Sequence, residues 1–277
     1  MANLPFEIPL ALEHLRAPLN AHPITAFERY IHEIRVKFRT YYVEYNIHDG
    51  AVRLPRIFSD DFGDEIGRLA ILVDLEGNQF EVLVDKVNDS IYLTRGWAAL
   101  QDFYNIRIGA WVQLVYIGAG HFGLILRDRF HDPIDPPAFV PPVNLVIDKY
   151  DVPPYFVDDL PDSPELLAYD HDPNYFQCKC DKLLTHSDVL SGFLMLPYNG
   201  FGEHVFHETT SSIKLVDDYG NAWTCTLEFI LAPVQCYKVG GQWSIIVAIR
   251  RFTIGDRIRF GAQGIGTGEV VYFEINP

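Results

Sequence analysis

Residues 213–229 read Ile213-Lys214-Leu215-Val216-Asp217-Asp218-Tyr219-Gly220-Asn221-Ala222-Trp223-Thr224-Cys225-Thr226-Leu227-Glu228-Phe229. Two runs suited to strands, Ile213 to Val216 and Trp223 to Phe229, flank a polar cluster that holds Gly and Asn. Those two residue types accept the positive φ that a tight turn requires, so the stretch predicts a β-hairpin. The same arrangement stands earlier in the chain, where Leu69 to Val73 and Phe80 to Val84 lie on either side of Glu76-Gly77-Asn78.

Working outward from these hairpins, further landmarks repeat in order. Leu54-Pro55 matches Leu196-Pro197, Asp74 to Asn78 matches Asp217 to Asn221, and Gly96-Trp97 matches Gly241-Gln242-Trp243 with one insertion. Ile108-Gly109 matches Ile254-Gly255, and Gly stands 12 positions after Trp in both places. Four landmarks in one order predict an internal duplication. In the first copy, Val36, Phe38, Thr40 and Tyr42 alternate with Lys37, Arg39 and Tyr41, as a strand requires. Ahead of it, Ile24, Phe27, Ile31, Ile34 and Phe38 recur at helical spacing, and Thr25 with Glu28 forms a capping box. A helix is predicted from Ala26 to about Arg35.

The 277 residues carry 22 basic and 37 acidic side chains, a net charge of −15 that argues at first against a polyanion partner. The charge is unevenly spread. Residues 1–130, 131–175 and 176–277 carry net charges of −4, −9 and −2, so most of the acidity sits in the middle segment. That segment also holds 10 of the 18 prolines, and proline removes a backbone donor and restricts its neighbour. It predicts an extended, semi-rigid linker. Leu145, Val146, Ile147, Tyr150, Tyr155, Phe156, Leu160, Leu166 and Leu167 among its acids suit either capture of a partner or ties across the barrels.

Catalytic signatures are missing. Four cysteines, at 178, 180, 225 and 236, are too few for a disulfide framework and suit a reducing compartment. Cys178-x-Cys180 with His204 and His207 lacks the usual spacing of paired zinc ligands. Gly264-Ile265-Gly266-Thr267-Gly268 precedes a strand-like run, not the helix a phosphate cradle needs. There is no His-Glu-x-x-His and no Gly-x-Ser-x-Gly, so neither enzyme activity nor a cofactor or metal is expected. Met1 to Leu19 lacks the pattern of a signal peptide, and no uncharged run approaches membrane-spanning length.

Leu183-Leu184-Thr185-His186-Ser187-Asp188-Val189, Leu194-Met195-Leu196-Pro197, the Asp217 to Trp223 turn, Gly241-Gln242-Trp243 and Phe252-Thr253-Ile254-Gly255-Asp256-Arg257-Ile258-Arg259-Phe260 together resemble the plant B3 DNA-binding domain. The first copy, with Val52 to Phe58, Ile91 to Trp97 and Ile108 to Leu114, is similar to the reproductive-meristem branch of that family. The resemblance implies an all-β fold with short helices: two tandem seven-stranded open barrels, at 36–130 and 175–277. An N-terminal extension, 1–35, and the acidic linker, 131–174, complete the division. It further implies a plant nuclear transcription regulator that grips the major groove of double-stranded DNA with two arms per barrel.

On that pattern the first barrel offers Lys37, Arg39, Arg53 and Arg56 in its early arm and Lys86, Asn88, Ser90 and Arg95 in its later arm. Lys and Arg neutralise phosphates, and Arg and Asn can read base edges in bidentate fashion. The second barrel offers Lys179, Lys182, Thr185, His186 and Ser187, but Lys238 alone in its later arm. Phe193 and Tyr198 stand where the family commonly has Arg and Lys. An apolar arm cannot neutralise a phosphate track, so this barrel is expected to serve homo- or heterodimerisation or contact with another protein. The alternative for the whole chain is an interaction protein on degenerate barrels. Four acids in Ser59 to Glu65 are expected at the start of a rim helix, and Arg250-Arg251 at the end of one, each favoured by the helix dipole.

Overall fold

The computed structural model describes residues 40–46, 48–106, 109–207, 209–264 and 269–275. The helix expected over 26–35, the cations Lys37 and Arg39, and most of the 264–268 loop lie outside them. The chain divides into two compact units, Met1–Ala168 and Tyr169–Pro277.

The first unit contains β1 (Thr40–Tyr45), β2 (Val52–Arg53), β3 (Leu69–Val73), β4 (Gln79–Val87), β5 (Ser90–Leu93), β6 (Ala110–Gly118) and β7 (His121–Arg127). Two short strands follow, β8 (Pro133–Ile134) and β9 (Asn144–Ile147). Helices α1 (Arg56–Phe62) and α2 (Ala99–Tyr104) sit between strands. Antiparallel ladders join β1 to β6, β6 to β7, β3 to β4, β4 to β5 and β2 to β5, while β3 and β7 run parallel. The first half of β4 faces β3 and its second half faces β5, so this one long strand belongs to two sheets. The result is an open barrel.

The second unit holds β10 (Cys178–Leu183), β11 (Leu194–Pro197), β12 (Ser212–Val216), β13 (Asn221–Ile230), β14 (Cys236–Val239), β15 (Arg257–Ala262) and β16 (Val270–Ile275). Helices α3 (His186–Leu190) and α4 (Trp243–Ile249) lie between them. Its six pairings repeat those of the first unit strand for strand, including the parallel closure of β12 on β16. This all-β architecture with short helices is the one the resemblance implies, and both predicted hairpins are present in it.

The turn between β3 and β4 shows why the repeated motif folds as it does. Gly77 takes φ +83°, as Gly220 takes +80° in the second unit. The Asp74 carboxylate accepts from the backbone amides of Glu76 and Asn78 at 2.9 Å each, from Asn78 Nδ2 at 2.8 Å and from Tyr104 Oη at 2.7 Å. Asp217 binds Tyr219 N, Asn221 N and Trp223 Nε1 in the same manner. Burial pushes both carboxyls up from the ordinary range, and their donors partly offset it. The tryptophans that follow Gly96 and Gly241 are buried core plugs.

Three expectations are corrected. In β1 the inward residues are Tyr41, Val43 and Tyr45, while Tyr42 is exposed, the opposite phase to the alternation anticipated there. Aromatic partners decide it: Tyr41 meets Phe58 edge-on with ring centroids 5.1 Å apart, and Tyr45 packs on Trp97 at 5.4 Å. Of the four acids, Asp64 and Glu65 do open a short 3-10 helix, Gly63–Glu65, but Asp60 and Asp61 fall in the last turn of α1, not its first, because that helix begins directly after Pro55. Asp60 and Asp61 therefore oppose the helix dipole. Arg250 does stand at the C-terminal end of α4, as expected, but acids meet its charge there. Its guanidinium is buried, 3.4 Å from Asp217 and 2.6 Å from Asp218, and it stacks on Tyr219 at 4.1 Å.

Candidate nucleic-acid interface

In the first unit the named side chains come from β2, β4, β5, the β4–β5 turn, the loop after β5 and the start of α1. Arg53 on β2 pairs with Tyr92 on β5, so its Nη2 reaches Ser90 Oγ at 2.5 Å and its guanidinium lies 5.9 Å from the Tyr92 ring. Arg53 is exposed, but Ser90 is buried and positions the arginine instead of facing outward. Arg56 opens α1 with its side chain 80% exposed and only a long 4.0 Å approach to Asp60. Asn88 and Asp89 form the two-residue turn between β4 and β5 with φ of +46° and +60°. This is the twist-matched hairpin turn, which places Asn88 at an exposed tip.

Lys86 and Arg95 are held differently. Lys86 Nζ donates to the Gly63 carbonyl at 2.7 Å and lies 4.3 Å from the ring centroid of Phe156. Burial lowers its ammonium below the ordinary lysine range, partly offset by Asp64. Arg95 Nη1 donates to the Asp148 carbonyl at 2.9 Å and to Asp151 Oδ1 at 2.6 Å.

In the second unit Thr185 caps α3, accepting from the Asp188 amide, and the Asp188 carboxylate returns bonds to Thr185. Lys182 Nζ lies 3.1 Å from the same fully buried carboxylate. Desolvation alone would raise the Asp188 carboxyl, but bonds from Thr185 and Met195 and the Lys182 charge together hold it below the usual value. Its contribution to stability is therefore complete above the unfolded carboxylate pKa of about 3.9 and lost as pH falls through the lowered folded value. Acid unfolding of the full chain, followed in the second unit by hydrogen exchange, should show this loss, and an Asp188→Asn chain should lack it. His186 and Ser187 are exposed on the first turn of α3, and Lys179 is exposed on β10. Lys238 pairs with Glu228 at 3.3 Å and lies 4.0 Å from the Phe193 ring. Between β10, β11 and the β13–β14 loop runs a cleft of about 420 Å³, lined by Leu183, Met195, Pro197, Tyr198, Val234 and Cys236 among others.

No protein-family model matches the chain. A stretch of 75 residues, 27% of the chain, is 32% identical to a B3 domain-containing protein of Oryza sativa subsp. japonica, of which it covers 7%. Part of this chain is thus similar to a B3 domain protein. Among solved structures, a hypothetical Arabidopsis thaliana protein aligns with TM-score 0.29 and 19% identity over 32% of this chain and 89% of its own. An Arabidopsis FUS3–DNA complex aligns with TM-score 0.30 and 19% identity, over 35% of this chain and 95% of that one.

Strand pairing brings Arg53, Ser90 and Lys86 onto one three-stranded ribbon, β2–β5–β4, with Arg56 at its end and Asn88 at its tip. It draws Arg95 inward. Tyr92 belongs to the same ribbon although the sequence reading passed over it, and its Oη donates to Asp162. The β15 cations Arg257 and Arg259 were passed over too, and both pair with Asp181 across the sheet. Among the described residues no group of three or more His, Cys, Asp or Glu side chains could hold a metal ion, and no helix is long and apolar enough to cross a membrane.

Proposed function

We propose that the chain is a B3-type plant transcription regulator that acts in the nucleus, without catalysis or cofactor, and binds the major groove of double-stranded DNA mainly through its first barrel. The observation that carries this reading is the clustering of exposed Arg53, Arg56 and Asn88 around one ribbon. Arginine there can neutralise phosphates or fork onto a guanine edge, and the exposed amide at the tip can pair with adenine. Lys37 and Arg39, outside the described residues, join Arg53 and Arg56 as sequence candidates for the early arm. In the second barrel, Lys179, His186 and Ser187 remain candidates for contact, while Lys182 and Thr185 hold Asp188 and Lys238 holds Glu228.

Titrating the full chain against a labelled mixed-sequence duplex at several salt concentrations tests the proposal. Arg53→Ala and Arg56→Ala are expected to weaken binding by about 1–3 kcal/mol where they read a base, or to reduce the salt slope by about 1 where they meet a phosphate. Lys86→Ala should act in the same direction. Affinity and salt slope that stay the same across all three variants would remove the arms from the interface.

A second reading rests on the apolar cleft of the second unit. Leu231 and Val234 beside it are exposed, as is Phe193, and such a surface suits a protein or a second copy better than a polyanion. On this reading the second barrel serves partner contact or dimerisation while the first retains DNA.

A further inference from the structure

The acidic segment between residues 148 and 162 lies on the later arm of the first barrel. Asp151 and the Asp148 carbonyl occupy Arg95, Asp162 accepts from Tyr92, and the Phe156 ring covers Lys86. Arg68 adds a bond to the Pro153 carbonyl at 3.4 Å and stacks near Phe156 at 5.4 Å. The segment follows directly on β9, which pairs in parallel with β4, and within it Lys149 Nζ meets Glu81 at 2.7 Å. Carboxylate, carbonyl and aromatic face thus occupy donors that a nucleic acid would otherwise meet. By contrast, Arg53 and Arg56 make none of these contacts with the segment.

We infer that residues 148–162 form an autoinhibitory strap that competes with DNA for the later arm of the first barrel. The inference rests on the DNA-binding reading above. Strap and duplex seek the same side chains, so binding requires the strap to lift, and the apparent affinity is reduced by the fraction of molecules in which it is closed. Because the strap is joined to the barrel, its local concentration is high and its individual contacts can be weak. Its acids also repel an approaching phosphate backbone, an effect that must be separated from masking.

The test uses the full chain and a labelled mixed-sequence duplex. Phe156→Ala changes no charge, and Asp151→Asn with Asp162→Asn removes the two arm-facing carboxylates. Asp158→Asn with Asp159→Asn makes the same charge change at exposed positions of the strap that make none of these contacts. A second readout needs no DNA: the rate at which Lys86 is acylated, read by mass spectrometry. Masking predicts binding about tenfold tighter for the Phe156 and Asp151/Asp162 variants, a change of twofold or less for the Asp158/Asp159 control, and faster acylation of Lys86 in the Phe156 variant. Equal tightening in the control would reduce the effect to bulk charge and overturn the strap. Unchanged affinity in a chain that binds DNA, with Lys86 newly reactive, would also overturn it while leaving the DNA reading intact. If no form binds the duplex, both readings fall.

Discussion

Replacing Arg250 with methionine is expected to destabilise the second unit by about 3 kcal/mol, the cost of leaving one half of a buried ion pair unmatched. Arg250 Nη1 lies 3.4 Å from Asp217, Nη2 lies 2.6 Å from Asp218, and the guanidinium is sandwiched against Tyr219. Methionine fills part of the volume, so the loss is chiefly electrostatic. Asp217 keeps its bonds from Tyr219, Asn221 and Trp223, which holds the effect at the lower end of the range for broken buried pairs. Urea denaturation of the full chain with hydrogen exchange resolved by unit would measure it, since each unit has two of the four tryptophans and fluorescence alone would mix them. An unaltered second unit would mean that the turn stands without its cation. The first unit meets the same demand with a neutral donor, the Tyr104 hydroxyl at 2.7 Å from Asp74.

Gly96→Ala is expected to cost the first unit at least about 3 kcal/mol, from backbone strain and a steric clash together. Gly96 has φ +88°, and an added Cβ would stand 2.5 Å from the Glu81 carbonyl oxygen and 2.8 Å from Ile147 Cγ2. The carbonyl belongs to β4 and cannot swing aside without breaking its ladder. The corresponding Gly241 has φ +67° but its nearest atoms are 3.2 Å away, so Gly241→Ala should be the milder change. The same unit-resolved denaturation would rank them, and equal losses would show that φ alone, not the close approach, sets the cost. The stricter requirement at Gly96 comes first from the β4 carbonyl of Glu81, and Ile147 of β9 closes the space further.

The hairpins and the repeated landmarks were legible in the chain because their physics is local. Asp74 bonds to Glu76 and Asn78, and Asp217 to Tyr219 and Asn221, within four residues, so type and spacing announce the turn. The positive φ of Gly77 and Gly220 follows from the same few residues. The arms were legible as residue types near landmarks, but their states were not. Nothing near Arg95 indicates Asp151, 56 positions on, and nothing near Tyr92 indicates Asp162, 70 positions on. The inward phase of β1 depended on Phe58 and Trp97, and the fate of Arg250 on a turn more than 30 residues earlier. What the amino-acid order determined alone is a duplicated set of strands and turns, since each rests on backbone preference and near neighbours. Which cations face outward and which are held by acids was decided only by the tertiary structure, because exposure and pairing depend on what the rest of the chain brings alongside.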